Sequence, residues 1–452
     1  MTYDLIILLC TIFAVAALLD SNSQIYSSCN TKEAESVANC FRFVDRDNSN
    51  CPVEKWFEVM ASEDIKIKNH GVFINIGVNK GYNFANWIDL FLPWTNVDAS
   101  AWFSKMEVMQ LFRRSKDNFC PPCGCCGDCG SKFHVNYSSS SSIAVGKPAN
   151  FLFVGVDLNK GNLHGIQQIV DSLSDNIKNQ VSFLLLHAAG AAEKGVIRIP
   201  ICDSGSESCR IPDNSDTDTN VKYENVPAET IDDLIHNLIS NHSHKHPQLL
   251  DLYKVLQAKH ISSELNSTVT SSSSNSGLID IIQIDTEGHD ALVLRGGAHI
   301  FKHRAVRCII FEYHSFHPWN TLKLQESVRD LHEYGYDCFF MGNERLWPIS
   351  DQCWHDIYEF HHWSNVLCIL RGDIWHRAVY PYVVERDKKP HEFPEGSIIQ
   401  PHNSRAVYLI QDNKTHLFNN GKAFMSRGYD FEKVSRVDAF LLCFREAGDT
   451  LF

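Results

Sequence analysis

Cations are scarce in this sequence. Its 452 residues hold 41 Lys and Arg against 54 Asp and Glu, a formal net charge of -13. Polyphosphate binding needs a basic face, so nucleic acid is excluded as the main partner. A long apolar run is also missing. The N-terminal one covers only the fifteen residues 5–19 and is broken by Thr11, whereas a membrane-crossing helix needs about 20. No Lys or Arg precedes it. Its length suits the core of a secretory signal over residues 1–23, closed by polar Asp20-Ser21-Asn22-Ser23. A short uncleaved anchor is the alternative, and the one expected route to a membrane.

What is present fits a large folded chain. Hydrophobic residues make up 44% and charged residues 21%, enough to build a sizeable core and to exclude wholesale disorder. The length calls for two or three domains. Sixteen cysteines suit disulfides in an oxidising compartment. Asn136-Tyr137-Ser138, Asn241-His242-Ser243, Asn266-Ser267-Thr268 and Asn413-Lys414-Thr415 fit the glycosylation acceptor pattern. Together these point to the secretory lumen or beyond. Five thiols, Cys120, Cys123, Cys125, Cys126 and Cys129, have spacings that zinc could use. In a lumenal chain they read instead as disulfides pinning an insertion. Cys202 and Cys209 would close a short loop, although order alone cannot fix pairing. The scattered histidines, His361-His362 included, read as surface or core residues, and no metal is assigned.

Residues 24–70 form a lead-in. From Gly71 the pattern becomes that of alternating strands and helices. Residues 72–76 read as a buried strand entering a Gly-rich turn, and 83–91 as a helix with Phe84, Trp87, Ile88 and Phe91 on one face. Residues 92–147 fit neither period and read as a Cys-rich insertion. Further strands are expected at 151–156, 181–186, 278–284 and 306–311. Helices are expected at 163–173, across most of 226–260, and at 290–294. Residues 200–222 and the Ser-rich 266–277 read as loops. This order implies an α/β fold with a doubly wound, mostly parallel sheet over 71–385. A small β-rich accessory domain follows at 392–452.

Four strand ends carry chemistry. Asn75, Gly77, Asn79 and Gly81 lie in a turn after the first strand, where doubly wound sheets bind nucleotides and where glycines let backbone approach a ligand. Asp157 ends the next strand, placed to accept bonds from ribose hydroxyls, although a plain turn Asp would look the same. Asp285 and Glu287 follow the 278–284 strand, and Glu312 and His314 follow 306–311. Carboxylates gathered at strand tips suit a sulfonium and a substrate hydroxyl; helix N-capping is the structural alternative for Asp285 or Glu287.

The segment IDIIQIDTEGHDALVLRGG followed by CIIFEYH resembles the FkbM-type family of methyltransferases. VFINIGVNKGY resembles that family's cofactor loop, the stretch from Val226 to Leu234 its linking segment, and the stretch from Leu331 to Cys338 its late helix-to-strand step. The family loop usually begins with Asp; here Asn75 can hydrogen-bond but brings no charge. The resemblance implies a Rossmann-like methyltransferase sheet, S-adenosylmethionine as cofactor, and O-methylation of a sugar, glycan or other hydroxylated small molecule. It assigns Asn75, Gly77, Asn79, Gly81 and Asp157 to the cofactor and Asp285, Glu287, Glu312 and His314 to the acceptor. The competing readings are a non-catalytic binding descendant and a lumenal glycosyltransferase using Asp216-Thr217-Asp218.

Overall fold

Strand β1, His70–Ile76, is a run of apolar side chains with Asn75 as its one polar interruption after His70, and every residue after His70 is buried. A strand buried on both faces belongs inside a parallel sheet covered by helices. The computed structural model has that arrangement. It describes residues 29, 31–44, 53–64, 70–112, 150–206, 209, 211, 221–264, 278–316, 318–342, 344–384, 393–401, 405–437 and 449–452. The expected signal, the cysteine cluster at 120–129, the triplets at Asn136 and Asn266, and Asp216-Thr217-Asp218 lie outside the described residues.

Ten further strands belong to the same unit: β2 Asn150–Asp157, β3 Val181–His187, β4 Ala189–Gly190, β5 Gly195–Pro200, β6 Tyr223–Glu229, β7 Ile279–Ile284, β8 Val306–Tyr313, β9 Tyr336–Met341, β10 Leu346–Pro348 and β11 Ser364–Leu370. Eight strands make the central sheet, in the order β10-β9-β11-β8-β7-β1-β2-β3. From β3 across to β8 all neighbours pair in parallel. Only β11, set between β8 and β9, and the edge strand β10 run the other way. The chain leaves β1 toward β2 and β3 on one side and returns to β7 and β8 on the other. The strand order therefore reverses at β1 and β7, and a crevice opens beyond their carboxyl ends.

Helix Tyr82–Phe91 covers one face of the sheet. Its Trp87 ring packs 5.3 Å from Phe73, and Phe84 lies 5.8 Å from Phe153. Each such fully buried aromatic contributes roughly 1.5–3 kcal/mol. At the amino ends of the strands, buried Arg307 bridges Asp280 at 3.0 Å and Asp373 at 2.9 Å, with Trp375 stacked 3.7 Å from its guanidinium. This fixes β7 against β8 at the edge opposite the crevice.

Several expectations need correction. Residues 226–229, at the start of the stretch expected to be mostly helical, instead belong to β6, the middle strand of a small three-stranded sheet, β4-β6-β5. Pro227 and the weak alternation of Val226 and Ala228 disguise it, because proline donates no ladder bond. The expected insertion holds a regular helix, Ala99–Val108, in its described part. Strand β11 was not expected at all.

Chain contacts divide the molecule into two compact units: 49–351 with 359–382, and 1–48 with 352–358 and 383–452. The second unit contains helix Thr31–Val44, the Cys29–Cys353 disulfide, and a four-stranded sheet ordered β14-β13-β12-β15. Those strands are β12 Ile398–Pro401, β13 Tyr408–Gln411, β14 Lys414–Leu417 and β15 Ser435–Val437. Ile398, Val407, Leu409, Phe418 and Phe424 form its core. Cys202–Cys209 and Cys338–Cys368 are the other described disulfides. Asn241 and Asn413 are both exposed. Among the described residues, no helix is long and apolar enough to cross a membrane.

Candidate functional site

The turn after β1 is built around one glycine. Gly77 has φ +87°, and a Cβ there would overlap the Asp285 carbonyl oxygen. Backbone bonds from Asp285 N to Ile76 O (2.9 Å) and from Gly77 N to Val156 O (2.8 Å) draw the tips of β7, β1 and β2 together. Without a Cβ the backbones can approach this closely.

Asp157, at the end of β2, locks the same turn. Its Oδ2 accepts from Asn79 N at 2.8 Å; its Oδ1 accepts from Asn159 N at 2.7 Å and from Asn162 Nδ2 at 3.2 Å. Burial pushes its carboxyl up to about 6 in spite of these donors. Asn159 and Asn162 also hold the disulfide-closed loop: Asn159 Nδ2 donates to Cys202 O and Asp203 O, both at 3.2 Å, and Gly205 N donates to Asn162 Oδ1 at 2.7 Å.

These elements line an open cleft with about 570 Å3 of empty space, its solvent-open mouth included. Gly77, Asn79, Asp157 and Leu158 line one side, Ala188, Ala189 and Gly190 the floor beyond β3, Ser206, Cys209 and Ile211 the loop side, and Asp285, Thr286 and Glu287 the β7 side. Asp157, Asp285 and Glu287 are its charged groups, and no Lys or Arg stands among the described lining residues. Asn79 Oδ1 is buried with no donor, an acceptor that a ligand could satisfy.

Not every expected residue reaches this cavity. Asn75 is fully buried beneath the turn, neither of its amide atoms has a hydrogen-bond partner, and it lies opposite Gln283 of β7. Gly81 faces Trp102 and Ile166 rather than the cavity. Glu312 and His314 lie next to it, past Asp285 and Glu287. Burial first, then the charges of Asp285, Glu287 and Asp290, hold the Glu312 carboxyl well above the usual range; a bond from the Trp363 side chain works against this. His314 Nε2 stands 4.0 Å from Glu312 Oε2.

Asp290 escaped the sequence reading. It is wholly buried, accepts from Thr286 Oγ1 (3.2 Å), Gly288 N (3.3 Å) and Glu312 N (3.3 Å), and burial raises it to about 7. As first residue of helix Asp290–Arg295 it looks like an ordinary N-terminal acid. Only the pairing of β7 with β8 brings Glu312 N to it. Asn159, Asn162 and Trp363 were missed as well. The two asparagines carry a faint signal, polar residues clustered just past a strand.

Residues 171–338 match a family model described as Methyltransferase FkbM domain. The chain carries an FkbM methyltransferase domain. The match begins at the end of helix Lys160–Asp171, which follows β2, and runs into β9. It includes Asp285, Glu287, Asp290, Glu312 and His314. The β1 turn and Asp157 precede it; the sheet brings them beside Asp285 and Glu287 as lining of one cavity. Comparison with curated proteins finds no match.

Proposed function

We propose that this chain is an S-adenosylmethionine-dependent O-methyltransferase acting on a hydroxyl of a sugar, glycan or other small molecule within the secretory pathway. The observation that carries this reading is the charge of the cavity. Carboxylates and a buried neutral acceptor line it, and no described cation does. Such walls repel the phosphates of a dinucleotide or a nucleotide sugar and attract a sulfonium bearing an ammonium group.

The residues present fit that cofactor. Asp157 and the Gly77–Asn79 backbone would hold its adenosyl part, and Asp285 and Glu287 would offset its positive charge. When bound, it supplies an electrophilic methyl carbon whose bond to sulfur breaks with the electron pair left on sulfur. Glu312 is placed to take the acceptor hydroxyl's proton: its carboxylate stands close enough to Asp285 and Glu287 to feel their charges, with His314 Nε2 4.0 Å from its Oε2. His314 would orient Glu312 or share the proton. Holding the acceptor oxygen beside the methyl group supplies much of the rate. The described disulfides fit an oxidising compartment.

Thermal shift and calorimetry with S-adenosylmethionine test the proposal. Stabilisation by this cofactor and its demethylated product, with no response to a nucleotide sugar plus manganese, is the expected result. Stabilisation by the nucleotide sugar would favour the glycosyltransferase reading. Indifference to both would leave a non-catalytic descendant of the fold.

A further inference from the structure

Beyond the carboxylates the carboxyl edge of the sheet changes character. Strands β8 and β11 run antiparallel, and the last pair of their ladder is Tyr313 with Ser364. One step further stand His314 and Trp363. Trp363 is 39% exposed although its side chain is bonded to Glu312. Phe316 is 42% exposed, and His314 packs edge-on against it at 4.6 Å. Phe316 N donates to His314 Nδ1 at 3.1 Å, which fixes the turn that carries the ring. Two large aromatic rings are thus held in place by the groups beside the candidate base, yet their surfaces face solvent.

Rings anchored in this way are not core side chains. Glu312 feels the charges of Asp285 and Glu287, which line the cofactor cavity, so the rings beside Glu312 and His314 stand next to that cavity. We propose that Trp363 and Phe316 form the acceptor subsite and stack the apolar face of a pyranose ring, so that one ring hydroxyl reaches Glu312. This rests on the methyltransferase reading above and narrows its acceptor to a saccharide. A pyranose offers a flat patch of C–H bonds on one face and hydroxyls around its rim. The patch suits an aromatic surface, and the rim suits a carboxylate and an imidazole. A cationic acceptor fits less well, because it would place a second positive charge beside the sulfonium. A protein partner fits less well too: two rings cover far less than the roughly 800 Å2 per side of a stable interface.

The test uses the full chain and saturation-transfer NMR. Methyl β-galactopyranoside and methyl α-mannopyranoside are the probes, galactitol is the open-chain control, and tetramethylammonium is the cationic control. Each sample is also heated with and without S-adenosylmethionine. At least one pyranoside is expected to receive saturation through its ring C–H protons while galactitol does not. Trp363→Ala and Phe316→Ala should each weaken that binding about tenfold, and Trp363→Phe should keep most of it. All three variants should retain the cofactor-induced thermal shift, which shows that they are folded. Galactitol binding as well as the pyranosides, displacement of the pyranosides by tetramethylammonium, or unchanged affinity in Trp363→Ala overturns the subsite. A wild-type protein that responds to S-adenosylmethionine but binds neither pyranoside also overturns it, and leaves the methyltransferase reading standing. Pyranoside binding with no cofactor response sinks that reading, and the acceptor role with it.

Discussion

Replacing Gly77 by Ala probes the joint on which the site is built. Gly77 has φ +87°, and an L-residue held there costs about 1–2 kcal/mol. The new methyl would overlap the Asp285 carbonyl oxygen, which is backbone and cannot rotate away. Relief requires the tips of β1 and β7 to part, against the Asp285 N to Ile76 O bond of 2.9 Å. Overpacking of this kind costs about 1–3 kcal/mol. The sum, roughly 2–5 kcal/mol, is a large part of a typical total of about 5–15 kcal/mol. Urea unfolding should show a lower midpoint with an unchanged slope. Displacing Asp285 also moves a cavity wall, so calorimetry should record weaker S-adenosylmethionine binding. Gly81→Ala is the control. Its φ of +79° carries the same backbone cost, but the new methyl meets only side chains, Trp102 Cζ2 at 3.0 Å and Ile166 Cγ1 at 3.2 Å. It should lose about 1–2 kcal/mol and keep its cofactor affinity. Equal stability of the two variants, both with intact cofactor binding, would refute the reasoning.

Three other perturbations follow from the same geometry. Burial raises Asp157 to about 6, and protonation turns one acceptor oxygen into a donor facing Asn79 N. Cofactor affinity should therefore fall as pH drops through about 6, whereas Asp157→Asn should bind weakly with no such dependence; calorimetry across pH would expose a flat wild-type curve as contrary. Removing both Cys202 and Cys209 frees the loop that supplies Ser206, Cys209 and Ile211 to the cavity. It should cost about 2 kcal/mol or less but raise the cofactor Kd several-fold, and an unchanged Kd counts against the loop as a wall. Glu312 and Asp290 both have folded pKa values above their unfolded ones, so the native state holds extra protons. Their contribution is fully present below about pH 4 and is lost as pH rises toward the folded values. Melting temperature should thus decline with pH more steeply in wild type than in Glu312→Gln, which should also fail to transfer methyl. Parallel melting curves would remove the assigned cause.

The central sheet was legible because its strands are short apolar runs ended by glycine or acid, a pattern that periodicity and turn chemistry both report. The same signal located Gly77, Asp157, Asp285 and Glu312 at strand tips. Strand β6 was hidden by Pro227 and by its polar residues, since a strand in a small surface sheet needs little apolar surface. Strand β11 carries the same local signal, the apolar run from Val366 to Leu370; what no local pattern announces is its antiparallel place between two parallel neighbours.

Residue types and their order along the chain were enough to determine the α/β class, the kinship to FkbM methyltransferases and the acids that end the strands. Strand pairing decided the rest. It set Asp290 against Glu312 N, placed Trp363 beside Glu312, fastened the Cys202–Cys209 loop to the asparagines that hold Asp157, and turned Gly77 from a permissive turn residue into a required one. These groups are far apart along the chain, and a pKa, a close contact or a shared cavity depends on distance in space, which order in sequence does not encode.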